Sequence, residues 1–150
     1  ALEKYAVRAG GGHNHRMGLY DQVLIKDNHL AVHGGESAIP DVVAKARDAA
    51  PTGTPVEVEV TSLEGGLSAA RAGADIVLLD NFDTDGLRAA VEAIRADAST
   101  RGVSAPALEA SGGISEETVA AVAKTGVDRI STGWITHSAR SLDIALDFVE

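Results

Sequence analysis

Cysteine is absent from the 150 residues, which excludes a disulfide-stapled scaffold and any thiolate nucleophile or thiolate metal centre. Aromatic side chains make up only 3% of the chain, and no basic stripe is interleaved with them. The stacking platforms of nucleic-acid readers are therefore missing, and nucleic acid is not an expected partner. No apolar run approaches the roughly 18 residues of a membrane span, and no basic-then-apolar leader opens the sequence. A membrane partner is not expected, and a reducing compartment, the cytoplasm, fits best. No G-x-S-x-G, Walker-type loop or H-E-x-x-H occurs either, so three common catalytic signatures drop out.

What is present reads as globular. Hydrophobic residues are 45% of the chain, enough for one domain over residues 1–150 to bury a core. The formal charge is −9, unevenly spread. Residues 1–50 hold six basic and six acidic side chains, and residues 51–150 hold seven and sixteen. Four of the five histidines, with Arg16 and Lys26, fall in the first third, which allows a local positive site in an acidic protein. Ala1 is not methionine, and Leu2 to Val7 already reads as the middle of a helix; a piece of a longer chain is expected.

After that helix and its stop at Gly10-Gly11-Gly12, the pattern alternates. Strands are expected at Val23–Lys26, Val56–Val60, Asp75–Asp80, Ala107–Ser111 and Asp128–Ser131. Helices are expected at Ala38–Ala49, Leu63–Ala72, Asp85–Ala96, Glu116–Lys124 and Ser138–Val149. Strands alternating with helices specify an α/β fold with a parallel sheet. Five such units are too few for a closed eight-stranded barrel of about 250 residues, so a partial (β/α) TIM-like barrel is expected rather than a doubly wound sheet.

The preference rests on where polar residues fall. Every expected strand ends in a residue that a buried sheet would not choose: Lys26, Glu59, Asp80, Ser111 and Ser131. In Val56-Glu57-Val58-Glu59-Val60 the period of two sends three valines to one face and two glutamates to the other. Glutamates facing a barrel axis need a cation, a metal or a substrate hydroxyl. A structural ion pair between Lys26 and an inward carboxylate satisfies the same requirement, and the residues alone do not choose. Ser111-Gly112-Gly113 leaves a strand and opens a helix, with Ser115 as expected N-cap, and Gly133 precedes Thr136-His137-Ser138 in the same way. Bare glycines let backbone amides close on an anion, although such turns are often only turns. His13 and His33 read as solvated loop residues, Trp134 as a packing residue and Asn81 as a turn cap.

Several segments together resemble quinolinate phosphoribosyltransferase, the carboxylating nicotinate-nucleotide pyrophosphorylase family. They are Glu3-Lys4-Tyr5-Ala6-Val7, Gly10-Gly11-Gly12, Asn14-His15-Arg16, Leu24-Ile25-Lys26-Asp27-Asn28-His29, Glu57-Val58-Glu59-Val60, Leu79-Asp80-Asn81, Glu109-Ala110-Ser111-Gly112-Gly113 and Gly133 through Thr136-His137-Ser138. They span nearly the whole chain in the family's order. The combination is specific, although no single piece is.

The resemblance implies phosphoribosyl transfer from 5-phosphoribosyl-1-pyrophosphate to quinolinate with loss of one carboxylate, giving nicotinate mononucleotide for NAD synthesis. It implies His15, Arg16 and Lys26 on the quinolinate carboxylates, and Lys26, Glu59 and Asp80 as catalytic groups. Glu59 and Asp80 would also serve Mg²⁺, while Ser111, Gly112, Gly113, Gly133 and His137 would cradle the 5-phosphate. It further implies a homodimer, an N-terminal α/β domain and a first barrel strand bearing a T-R-K-T-like segment; neither of the last two is in this sequence, so the chain alone is expected to be inactive and loosely folded. The rivals are the molybdenum-transport-associated pyrophosphorylase-like group, which lacks the lysine at the position of Lys26, nicotinate phosphoribosyltransferase, and a non-catalytic phosphate-binding barrel piece.

Overall fold

The computed structural model describes residues 2–148. Helix α1 (Leu2–Ala9) ends at the glycine triplet, where Gly11 takes φ +84° and Gly12 N–H returns to the Val7 carbonyl. That left-handed turn is the reason for glycine there. A loop follows, folded around Asp21, whose carboxylate accepts the Met17 and Gly18 amides. Those backbone hydrogen bonds hold the Asp21 carboxyl below its ordinary pKa.

Five parallel strands then form one sheet: β1 (Val23–Ile25), β2 (Val56–Val60), β3 (Ile76–Asp80), β4 (Ala107–Ser111) and β5 (Arg129–Ile130). Their spatial order is their sequence order. A doubly wound sheet reverses direction at a switch point; here each new strand is added on the same side, as in a barrel. The helices α3 (Ile39–Ala49), α4 (Leu63–Arg71), α5 (Thr84–Arg101) and α6 (Val119–Ala123) cover one face. Val56, Val58, Val60, Val77, Leu79, Leu108 and Ala110 meet Ile39, Val43, Leu87, Val91, Ile94 and Val122 there, in one continuous apolar core. The alternating residues of each strand project from the other face. The expected partial barrel is the observed architecture.

Several boundaries differ from the sequence reading, each for a local reason. Lys26 does not end β1 but caps a short helix, α2 (Asp27–Ala31), and its amide donates to His29 Nδ1. A 3-10 turn over Gly35–Ala38 precedes α3. Helix α5 runs on to Arg101, closed by Gly102 at φ +68°. Helix α6 begins only at Val119, because Thr118 Oγ1 accepts the Ser115 amide and holds residues 115–118 in turns, so Ser115 is not its N-cap. The helix expected at Ser138–Val149 is not formed over residues 138–148; a four-residue helix, α7 (Trp134–His137), stands before it instead, and Val149 lies outside the described residues.

Candidate active site

The inner face of the sheet is the floor of an open trough of about 1590 Å³. Strand registers fix which residues share it. Leu24 pairs with Glu57, Glu57 with Ile76, Glu59 with Leu78, Leu78 with Glu109, and Glu109 with Arg129. Asp80 lies beside Ser111 at the carboxyl-terminal rim, the end at which barrel folds carry their chemistry.

At that rim Lys26 Nζ lies 3.1 Å from Glu59 Oε2. Glu59 is buried and the lysine side chain is 49% exposed, so the pair is open to the trough on the lysine side. Lys26, Glu59, His15, Ser111, Gly112, Gly113, Gly133 and His137 all line the trough. Arg16 and Asp80 do not. Arg16 is half-buried in the loop beside His15, its carbonyl held by Lys4 Nζ at 2.5 Å; Asp80 Oδ2 accepts Asn81 Nδ2 at 2.6 Å.

The glycine turns are joined to each other. Thr132 Oγ1 donates to the Ile114 carbonyl at 2.5 Å and accepts the Trp134 amide at 3.2 Å, tying the loop after β4 to the loop after β5. Trp134 is half-buried among these contacts and His13 and His33 are exposed. Gly112 takes φ +94°, and a Cβ there would collide with Asn81 Oδ1 and lie 2.7 Å from the Asn81 backbone nitrogen. Asn81 itself adopts φ +60°, a conformation asparagine tolerates better than most residues. Gly112→Ala should therefore cost at least about 1–2 kcal/mol from the backbone alone, more than Gly113→Ala, where φ is +60° and nothing lies within 4 Å. Urea unfolding of the two variants checks the order; equal losses would mean that the Asn81 contact relaxes freely.

Deeper in the trough sits a cluster the sequence reading did not assemble. His15 Nε2 lies 3.0 Å from Glu57 Oε2 and 3.5 Å from Glu109 Oε1. Gln22 Nε2 donates to Glu57 Oε2, and Ser131 Oγ donates to Glu109 Oε1. The hydrogen bond to Glu57 raises the His15 pKa above its ordinary value, against the opposing effect of burial. Burial raises the Glu109 carboxyl, with Ser131 opposing. Glu57 could be placed inward by the V-E-V-E-V alternation; the same period in Ala107-Leu108-Glu109-Ala110-Ser111 puts Glu109 on the face of Ser111, which was the available signal for it.

Residues 1–147 match the family described as quinolinate phosphoribosyl transferase, C-terminal domain. The chain is 47% identical over 146 residues to a probable nicotinate-nucleotide pyrophosphorylase (carboxylating) of Bacillus subtilis, covering 97% of this chain and 47% of that protein. It is 39% identical over 145 residues to the corresponding human protein, covering 97% and 46%. The solved nicotinate-nucleotide pyrophosphorylase of Francisella tularensis superposes with a TM-score of 0.78 at 47% identity, over 90% of this chain and 44% of that one. The chain thus spans about half the length of the relatives it matches. With motifs, sheet order and rim in agreement with that match, the chain belongs to the quinolinate phosphoribosyl transferase family, as its C-terminal domain.

Proposed function

We propose that this domain transfers phosphoribose from 5-phosphoribosyl-1-pyrophosphate to the ring nitrogen of quinolinate, with loss of one carboxylate, giving nicotinate mononucleotide, pyrophosphate and carbon dioxide. The observation that carries the reading is the Lys26–Glu59 pair on the same rim as the Ser111-Gly112-Gly113 and Gly133 turns. One substrate is a dianion and the other is heavily phosphorylated, so a trough combining cationic side chains with bare amides suits both. His15 and Arg16 would hold the quinolinate carboxylates, Arg16 by its planar fork. Lys26, half exposed, can reach either reactant. Ser111, Gly112, Gly113, Gly133 and His137 would take the 5-phosphate.

As pyrophosphate departs, positive charge grows at the anomeric carbon, and a fixed carboxylate beside it stabilises that charge. Glu59, buried and oriented by Lys26, suits this role, with Asp80 on the adjacent strand end. Both are hard oxygen donors at the open rim, a set that fits Mg²⁺ held through one or two carboxylates and substrate phosphates. When bound there, the ion would neutralise charge on the pyrophosphate oxygens. The decarboxylation asks little of the protein, because the alkylated pyridinium accepts the electrons left by the departing carboxylate.

The family resemblance also supports a homodimer acting in the cytoplasm, in keeping with the lack of cysteine. No helix among the described residues is long and apolar enough to cross a membrane. The test is carbon dioxide release from carboxyl-labelled quinolinate with 5-phosphoribosyl-1-pyrophosphate and Mg²⁺. It should be run on the chain alone and on the chain joined behind the N-terminal half of the B. subtilis relative. Release by the joined protein, with nicotinate mononucleotide as product, is the expected result; no release, together with no quinolinate binding, would refute the assignment.

A further inference from the structure

The geometry points to Glu57 as a positioning residue: steadied by Gln22 and flanked by Glu109, it fixes the His15 ring through Nε2 and leaves Nδ1 for a carboxylate of the substrate. This rests on the reading of His15 as a quinolinate contact. Glu57 is 0% exposed, and a carboxylate taken wholly out of water requires a cation or several donors. It has the Gln22 amide and the His15 ring on Oε2, while Oε1 has no hydrogen-bond partner among the described residues. The one cationic group within ion-pair distance of Glu57 among those residues is His15. Nε2 faces two carboxylates, so it must carry a proton to make either contact, and the ring that offers a proton at both nitrogens is the imidazolium.

The groups facing His15 are Glu57 from β2, Glu109 from β4 and Arg16 from its own loop, with Arg129 of β5 reaching Glu109 at 4.0 Å. The two carboxylates favour the charged ring; burial and Arg16 oppose it, and the carboxylates prevail. The imidazolium therefore persists to a higher pH than in a free histidine, and the anion affinity it supplies falls as the pH rises through its raised pKa. Without the Glu57 charge, burial and Arg16 act against Glu109 alone, and the ring loses its proton earlier.

The test follows the His15 ring by NMR through a pH titration in the joined protein and in its Glu57→Gln and Glu109→Gln variants, with quinolinate titrated into each. In Glu57→Gln the His15 midpoint should drop by about 1 pH unit or more. Quinolinate affinity should be about tenfold weaker near pH 7, the size of effect a lost charged contact gives, and should recover once the pH is taken below the variant's own His15 midpoint, where the ring is charged again. A general loosening would not show that recovery. If Glu57→Gln does not fold, Glu109→Gln should show the same two changes at smaller size. A His15 midpoint unmoved by both substitutions overturns the assignment, as does saturable Mn²⁺ binding that His15→Ala abolishes, since a metal ion would then satisfy the carboxylates. A shifted midpoint in a joined protein that never binds quinolinate keeps the Glu57 role and rejects the substrate instead.

Discussion

Lys26→Ala is expected to lower turnover of quinolinate by about 10²–10³-fold, the range seen when one preorganised charge-stabilising donor is removed, while the fold survives. The side chain stands at the rim, 49% exposed, and none of the apolar core depends on it. Its removal leaves Glu59 without its ion-pair partner, but water reaches that end of the trough, so the cost to folding is small compared with losing a buried partner. Steady-state kinetics in a protein that turns over, alongside a melting curve, separates the two effects. A fall below about threefold together with a clearly lowered melt would make the pair structural, as a non-catalytic phosphate-binding barrel would have it. Loss of turnover with an intact melt selects the enzyme.

The opposite face should respond in the opposite way. Leu79→Ala is expected to cost about 3–4 kcal/mol in urea unfolding, within the usual span for emptying a fully buried leucine site. Leu79 is 0% exposed. With Ile94 and Val60 it packs on Gly66 of α4, where a Cβ would meet Ile94 Cδ1 at 3.1 Å and Leu79 Cδ2 at 3.7 Å. The missing side chain at Gly66 lets the helix come down on the strands, and leucine fills what remains. Truncation opens a cavity that a helix pinned on both sides cannot close. Turnover per folded molecule should hardly change, because Leu79 points away from the trough. A loss under about 1 kcal/mol would mean that α4 settles into the gap.

The contrast explains how much could be read from residues alone. Strands with strict alternation, such as Val56–Val60, were legible to the residue, because the period of two separates a greasy face from a charged one. So was the shared rim of Lys26, Glu59, Asp80 and Ser111, because a parallel sheet puts every strand's carboxyl end on the same side. Short elements were not: α2 and the 3-10 turn rest on single contacts such as His29 Nδ1 with the Lys26 amide, which no periodicity announces. The Glu57–His15–Glu109 cluster joins a loop to two strands, and sequence spacing carries no record of that meeting. Ser138–Phe148 carries a helical pattern that makes no packed helix here, because pattern without a partner surface does not fix a segment.

One arrangement at the far end of the sheet bears on all of this. Arg47 Nη2 bonds the Gly73 carbonyl and Asp75 Oδ2, and that aspartate accepts the Val56 amide. Arg95 Nη2 likewise bonds the Gly126 carbonyl and Asp128 Oδ1, and Asp128 Oδ2 accepts the Leu108 amide. The same latch thus occurs twice, two strands apart, each joining a helix to the first rung of the next pair. These latches lie at the strand starts, while the left-handed turns at Asn81, Gly112 and Gly113 lie at the opposite mouth. Two helices are thus fastened to the sheet at the end away from the glycine turns, so a ligand seated at the mouth need not disturb either fastening.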